Sequence, residues 1–187
     1  MQFPTKYRCL NQNEFVVGDH KIVPIRYEDR LDIMKWRNEQ IYHLRQAEPL
    51  TEESQEKYFK EILANLFEQE KPKQILFSFI KNDKCFGYGG LVHINWLDKN
   101  AEISFIMNTN LEEKYFHYHW SVFLKLIEKV ANNLQFFKVF TFAYDIRPNL
   151  YNVLLKNKYF EDARLHKHVF FGSKGYKDVV IHSKILQ

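Results

Sequence analysis

Cysteine is nearly absent from this chain. Cys9 and Cys85 stand far apart among 187 residues and belong to no metal or redox spacing. A disulfide scaffold is therefore excluded, and reduced thiols in a cytoplasmic protein are expected. No apolar run approaches the ~20 residues that span a bilayer. The opening MQFPTKYRCLNQNEF has no basic region followed by an apolar one. Neither a membrane partner nor a secretory signal is expected. Lysine and arginine are scattered, so the net charge of +4 favours an anionic partner without pointing to nucleic acid. There is no Gly-x-Ser-x-Gly, no P-loop and no dinucleotide fingerprint. The pairs His117-x-His119 and His166-x-His168 lack Cys, Asp or Glu partners at ligand spacing, so no metal is expected.

Glycine is also scarce, and its placement is informative. Three of the six, Gly87, Gly89 and Gly90, fall within four residues of one strand-like segment. Glycine weakens a strand interior, so this cluster predicts a bulge or a close backbone approach. The rest of the chain alternates periodic elements with turns. Residues 1–20 read as a loosely structured leader, and residues 21–187 as one domain. His20–Arg26 alternates as a short strand, with Pro24 placing it at an edge. Helices are expected near 28–37 and 51–69, and strands over 74–81, 85–95 and 101–108. A helix follows from His117 to Leu134, entered by a loop of about ten residues after Asn108. FKVFTFAY (137–144) reads as a buried strand. A helix over 149–157 and strands over 159–171 and 176–185 complete the order. The expected fold class is α/β: a central twisted, mostly antiparallel sheet with helices on both faces.

Three local patterns carry a family likeness. Ile25-Arg26, Asp32 and Lys35-Trp36-Arg37-Asn38 resemble an opening "R…D…WRN". Gly87-Tyr88-Gly89-Gly90-Leu91 with Ala101-Glu102-Ile103-Ser104-Phe105 resembles a central strand pair. Gly175-Tyr176-Lys177-Asp178 resembles a "G-x-Y-x-D" before a last strand. Their order resembles the GCN5-related N-acetyltransferases, in particular the bacterial WRN-type branch that acetylates amino sugars or protein N-termini. The resemblance implies acetyl-CoA as co-substrate and direct transfer of its acetyl group to a primary amine. The implied acceptor is an amino group on a nucleotide-linked sugar, with a protein N-terminus as second choice. A non-catalytic binding module of the same fold, and a homodimer, stay open.

The same resemblance assigns candidate residues. Glu102 would accept the amine proton, as a base of suitable pKa must before attack on a thioester. Tyr144 or Tyr151 would protonate the departing thiolate. Backbone groups of Ile106, Met107 and Asn108 would pair with the pantetheine arm, and Asn149 would lie near the cofactor. The family's pyrophosphate loop, "Q/R-x-x-G-x-G/A", is degenerate here. Lys114 takes its first position, and His117 and His119 take its two glycines. Side chains there would obstruct the backbone approach or replace it as phosphate donors. Trp36, Arg37 and Arg45 would form the acceptor pocket, with the arginines holding an acceptor phosphate.

Overall fold

The computed structural model describes residues 2–186. Eight strands form one sheet in the order β1-β2-β3-β4-β5-β6-β8-β7. They are β1 (Phe15–Val17), β2 (His20–Pro24), β3 (Ile75–Lys81), β4 (Lys84–Asn95), β5 (Asn100–Met107), β6 (Lys138–Tyr144), β7 (Phe160–Phe170) and β8 (Tyr176–Ile185). Every neighbouring pair is antiparallel except β5 with β6. The helices are α1 (Arg30–Glu39), α2 (Glu52–Lys57), a π-helical segment (Tyr58–Leu63) running into α3 (Ala64–Phe67), α4 (Thr109–Asn133) and α5 (Pro148–Lys156). Among the described residues no helix is long and apolar enough to cross a membrane.

The parity of β5 separates the two faces. Phe105 stacks on Phe123 of α4, with ring centroids 4.0 Å apart, and meets Trp120 edge-on at 5.1 Å. Ser104, the next residue back, faces the other way, toward a cavity walled by Ile33 of α1, Gln55 of α2 and Phe59. The glycine cluster answers to close approach. A Cβ on Gly89 would lie 2.1 Å from the Ser104 carbonyl oxygen and 2.9 Å from the Phe123 ring.

Three expectations need correction. Residues 1–20 are no loose leader: Tyr7, Leu10 and Phe15 are buried in the main core. The Tyr7 hydroxyl donates to the Leu76 carbonyl (3.1 Å) and accepts from its amide (3.0 Å), tying the segment to β3. Pro24 sits at the end of an interior strand. β1 covers β2 only as far as Ile22, so Pro24 faces no neighbour on that side and its missing N–H breaks no ladder. The third correction matters most. The helix expected from His117 begins at Thr109, directly after β5. Asn108 caps it, its Oδ1 accepting from the Asn110 amide at 3.0 Å. The polar run Glu112-Glu113-Lys114 resembles a loop in sequence, but it belongs to the first two turns of the helix: Glu113 and Lys114 are exposed, Glu112 is half-buried, and Phe116 faces inward.

Candidate active site

The parallel β5–β6 ladder sets the site. Its pairs stop at Glu102 and Phe140, while β5 continues to Met107 and β6 to Tyr144. Beyond that vertex the two strands splay and open a cleft of about 380 Å³ through the sheet. Ladder chemistry decides which backbone groups face the gap. The Asn108 amide donates to the Phe86 carbonyl at 2.8 Å. By antiparallel alternation Ile106 and Ser104 also turn their backbone toward β4, while Phe105 and Met107 turn theirs into the gap. Of the backbone groups expected to serve a cofactor, those of Ile106 turn to β4, while the Asn108 amide goes to β4 and its carbonyl accepts from the Leu111 amide at 2.9 Å. Ile106 is itself among the residues that border the cleft. Met107 does face the gap, but its carbonyl already accepts from Gln40 Nε2 at 2.7 Å. Phe105 was not anticipated; strand parity becomes visible only once the register is known.

Glu102 sits at the vertex, 5% exposed. Arg45 donates to its Oε1, and His93 Nδ1 lies 2.7 Å from its Oε2. The Arg45 guanidinium also lies over the Phe142 ring at 4.9 Å. Tyr144 lines the same cleft. Burial raises its pKa; Arg45 opposes the rise and Glu102 adds to it. Its hydroxyl therefore keeps its proton at neutral pH. Arg37 lines the cleft too, donating to the Tyr88 hydroxyl at 2.6 Å and to Gln46 Oε1 at 2.9 Å. It also borders the second cavity, of about 300 Å³, beneath α1 and α2.

At the outer end of the cleft Arg147, just before α5, donates to Glu112 in the first turn of α4. It lies 3.0 Å from His43 Nε2 and 5.2 Å from the Phe116 centroid. This ion pair spans from α4 to α5 over the splayed strands. Arg147 did not stand out in the sequence; His43 lies in the segment after the first helix where the resemblance places the acceptor pocket. The sole local signal is the Pro148 that opens α5 behind Arg147.

Other expected residues fall elsewhere. Trp36 is 3% exposed and packs with Ile33 on the inner face of α1, so it is a core residue and not part of the cleft. Tyr151 lies outside the cleft wall. It donates its hydroxyl to Asp145 at 2.9 Å and stacks on His182 at 5.0 Å. Burial, reinforced by Asp145, raises its pKa. Asn149 is exposed in the first turn of α5. Lys114 and His117 are exposed on the second and third turns of α4. His119 is buried against Phe86 (4.8 Å) and Phe79 (6.0 Å), on the far side of α4 from the cleft. None of the three stands at a helix N-terminus, because that N-terminus is Thr109. Among the described residues no group of three or more His, Cys, Asp or Glu is placed to hold a metal.

The buried histidines give the protein an acid limit. Burial, aided by Arg147, drops His43 to about 3; burial, aided by His20 and Lys81, drops His119 to about 4. An unfolded imidazole titrates near 6.5. Between about pH 4 and 6.5 the unfolded chain thus binds more protons than the native one, and stability falls as pH falls. The urea midpoint is expected to be lower at pH 5.0 than at pH 7.5. Equal midpoints would show that these rings protonate without penalty.

Comparison with known proteins agrees with this architecture. The family model for the acetyltransferase (GNAT) domain matches residues 22–181. No curated protein matches the sequence. Among solved structures the chain is similar to spermidine N-acetyltransferase from Vibrio cholerae, in complex with CoA and spermine. That likeness has 17% identity and a TM-score of 0.75, over 90% of this chain and 96% of that one. It is similar to ribosomal-protein-S5-alanine acetyltransferase from Vibrio fischeri at 14% identity and a TM-score of 0.72, over 93% and 97%. An N-acetyltransferase from Staphylococcus aureus Mu50 matches at 13% identity and a TM-score of 0.71, over 91% and 100%. With the matched segment spanning most of the sequence, the chain belongs to the GNAT acetyltransferase family, enzymes whose acyl donor is acetyl-CoA.

Proposed function

We propose that this enzyme acetylates a primary amine on an acceptor that also carries negative charge, a nucleotide-linked amino sugar being the first choice. The observation that supports this is the charge of the cleft. Arg37, Arg45 and Arg147 line it against one carboxylate, Glu102. Glu102 offsets Arg45, and Glu112 offsets Arg147. Among the described residues Arg37 has only neutral partners, Gln46 and Tyr88, and so remains available to a phosphate or carboxylate. A polyamine such as the one bound in the Vibrio cholerae spermidine enzyme would meet repulsion there. The WRN likeness of Lys35–Asn38 points the same way.

In this reading the pantetheine arm enters the splay and pairs with the gap-facing backbone of Phe105. The pyrophosphate lies at the mouth, where Arg147 exchanges Glu112 for phosphate. The acceptor amine meets the thioester at the vertex beside Glu102. The amine attacks the carbonyl carbon, the C–S bond breaks, and Tyr144 donates its proton to the thiolate. The tyrosine then regains a proton from the new amide nitrogen. Residues 21–187 form the catalytic unit, with the first twenty bracing β3.

The test is acetyl transfer, followed by thiol release, with a UDP-linked amino sugar, spermidine and a peptide N-terminus as acceptors. The anionic acceptor is expected to have a kcat/KM at least about tenfold above spermidine, the ratio that ~1.4 kcal/mol of charge complementarity supplies. Arg37→Gln should erase most of that ratio. Preference for spermidine would reject the anionic acceptor. Absence of any calorimetric signal with acetyl-CoA would reject catalysis itself.

A further inference from the structure

Both oxygens of Glu102 are occupied, Oε1 by Arg45 and Oε2 by His93. A carboxylate so held is poorly placed to collect a proton from an incoming ammonium. The histidine reaches it through an irregularity. β4 and β5 lose register between Val92 and Asn95, and there His93 adopts a left-handed φ of 47°. Non-glycine residues take this conformation uncommonly, and it persists where neighbouring structure holds it. Here the bulge carries the ring over the strand neighbour's carboxylate. The nitrogen facing a carboxylate carries the proton, so Nδ1 is the donor and Nε2 the acceptor of the neutral ring. The His93 side chain is 63% exposed and lines the cleft, while the Glu102 side chain beneath it is 7% exposed. Nε2 thus stands on the open side of the vertex.

We propose that His93 Nε2 is the atom that takes the proton from the acceptor ammonium, and that Glu102 is the positioning residue that orients it. The inference rests on the transferase reading above. In the step, the N–H bond of the ammonium breaks and its proton passes to Nε2. The freed amine lone pair forms the C–N bond at the thioester carbonyl, and CoA leaves as the thiol after taking the second nitrogen-bound proton by way of Tyr144. The imidazolium, stabilised by Glu102, returns its proton to water. One ammonium and one thioester give one amide, one thiol and one released proton. Imidazole suits this exchange because a ring whose Nδ1–H is held by a carboxylate presents a free lone pair at Nε2.

The test compares wild type with His93→Ala and His93→Asn, the second because asparagine tolerates a left-handed backbone. Both variants are expected to bind acetyl-CoA with unchanged affinity and to lose about 10² to 10⁴ in kcat. Imidazole added at tens of millimolar should restore at least about a tenfold share of the lost rate in His93→Ala, because a free base can occupy the vacated space. Rates within about threefold of wild type would overturn the role and leave Glu102 as the direct base. Loss without imidazole recovery would overturn it too, as would two variants that fail to fold. A wild-type protein that binds acetyl-CoA yet acetylates no amine would instead defeat the transferase reading, and that control separates the two failures.

Discussion

Glu102→Gln is expected to yield a folded protein that binds acetyl-CoA normally and turns over about 10² to 10⁴ more slowly, the usual contribution of positioned proton transfer. Glutamine keeps the size of the side chain but not its charge. Its amide group can turn an N–H toward His93 Nδ1, which places the imidazole proton on Nε2, the wrong nitrogen for accepting another. Its amide oxygen can still accept from Arg45, and because that guanidinium is 45% exposed the lost ion pair costs folding little. In the proposed reading the cofactor meets β5 through the Phe105 backbone, which the change leaves alone. The deficit should shrink as pH rises toward the pKa of the acceptor amine, where neutral amine is already present. The measurement is kcat and the KM for acetyl-CoA at pH 7 and at pH 9.5. Wild-type turnover at neutral pH would remove Glu102 from the mechanism; an equal loss at both pH values would assign it a structural role.

Gly90→Ala is expected to be the most damaging small substitution in the sheet. A Cβ there would stand 1.9 Å from the Ile75 carbonyl oxygen and 2.9 Å from the Leu76 Cα. Both contacts are backbone, so no side chain can move aside. Relief requires β3 and β4 to part, and they are interior strands of the sheet. Overpacking of this kind costs about 3 kcal/mol or more. For a chain of this length that corresponds to a melting temperature lower by about 6 to 12 °C, or to insoluble protein. Gly172→Ala is the control. Gly172 has φ +54° with nothing within 4 Å of a built Cβ, so only left-handed strain of about 1 to 2 kcal/mol applies. A Gly90→Ala melting temperature at or above that of Gly172→Ala would contradict the close approach of β3 and β4.

These two sites show what was readable before the chain was folded. The glycine cluster was legible because glycine is rare here and a strand has no local use for it; only a neighbour's proximity explains it. Glu102 was legible from its place in the strand pattern Ala101–Phe105, which the family shares. The order of elements could likewise be read from periodicity. The start of α4 could not. Its first turn is polar outside, and Asn108 reads equally well as a loop residue or a cap. Placing the helix at His117 put Lys114, His117 and His119 at a helix N-terminus they do not occupy. The shared motif places Trp36 in a pocket, whereas the packing of α1 buries it with Ile33.

By itself, then, the sequence determined the fold class, the family and the strand that carries the buried carboxylate. Periodicity, glycine scarcity and local motifs are properties of short stretches, and short stretches encode them fully. Only the tertiary structure decided which groups meet at the vertex. His93, Arg45 and Glu102 come from three different segments, and a bulge turns the first toward the last. Arg147 and Glu112 lie 35 residues apart and meet over the splay. The Phe105 backbone faces the gap because of ladder parity, which a single register shift would reverse. Such juxtapositions depend on how elements pack, and no window of the sequence contains both partners.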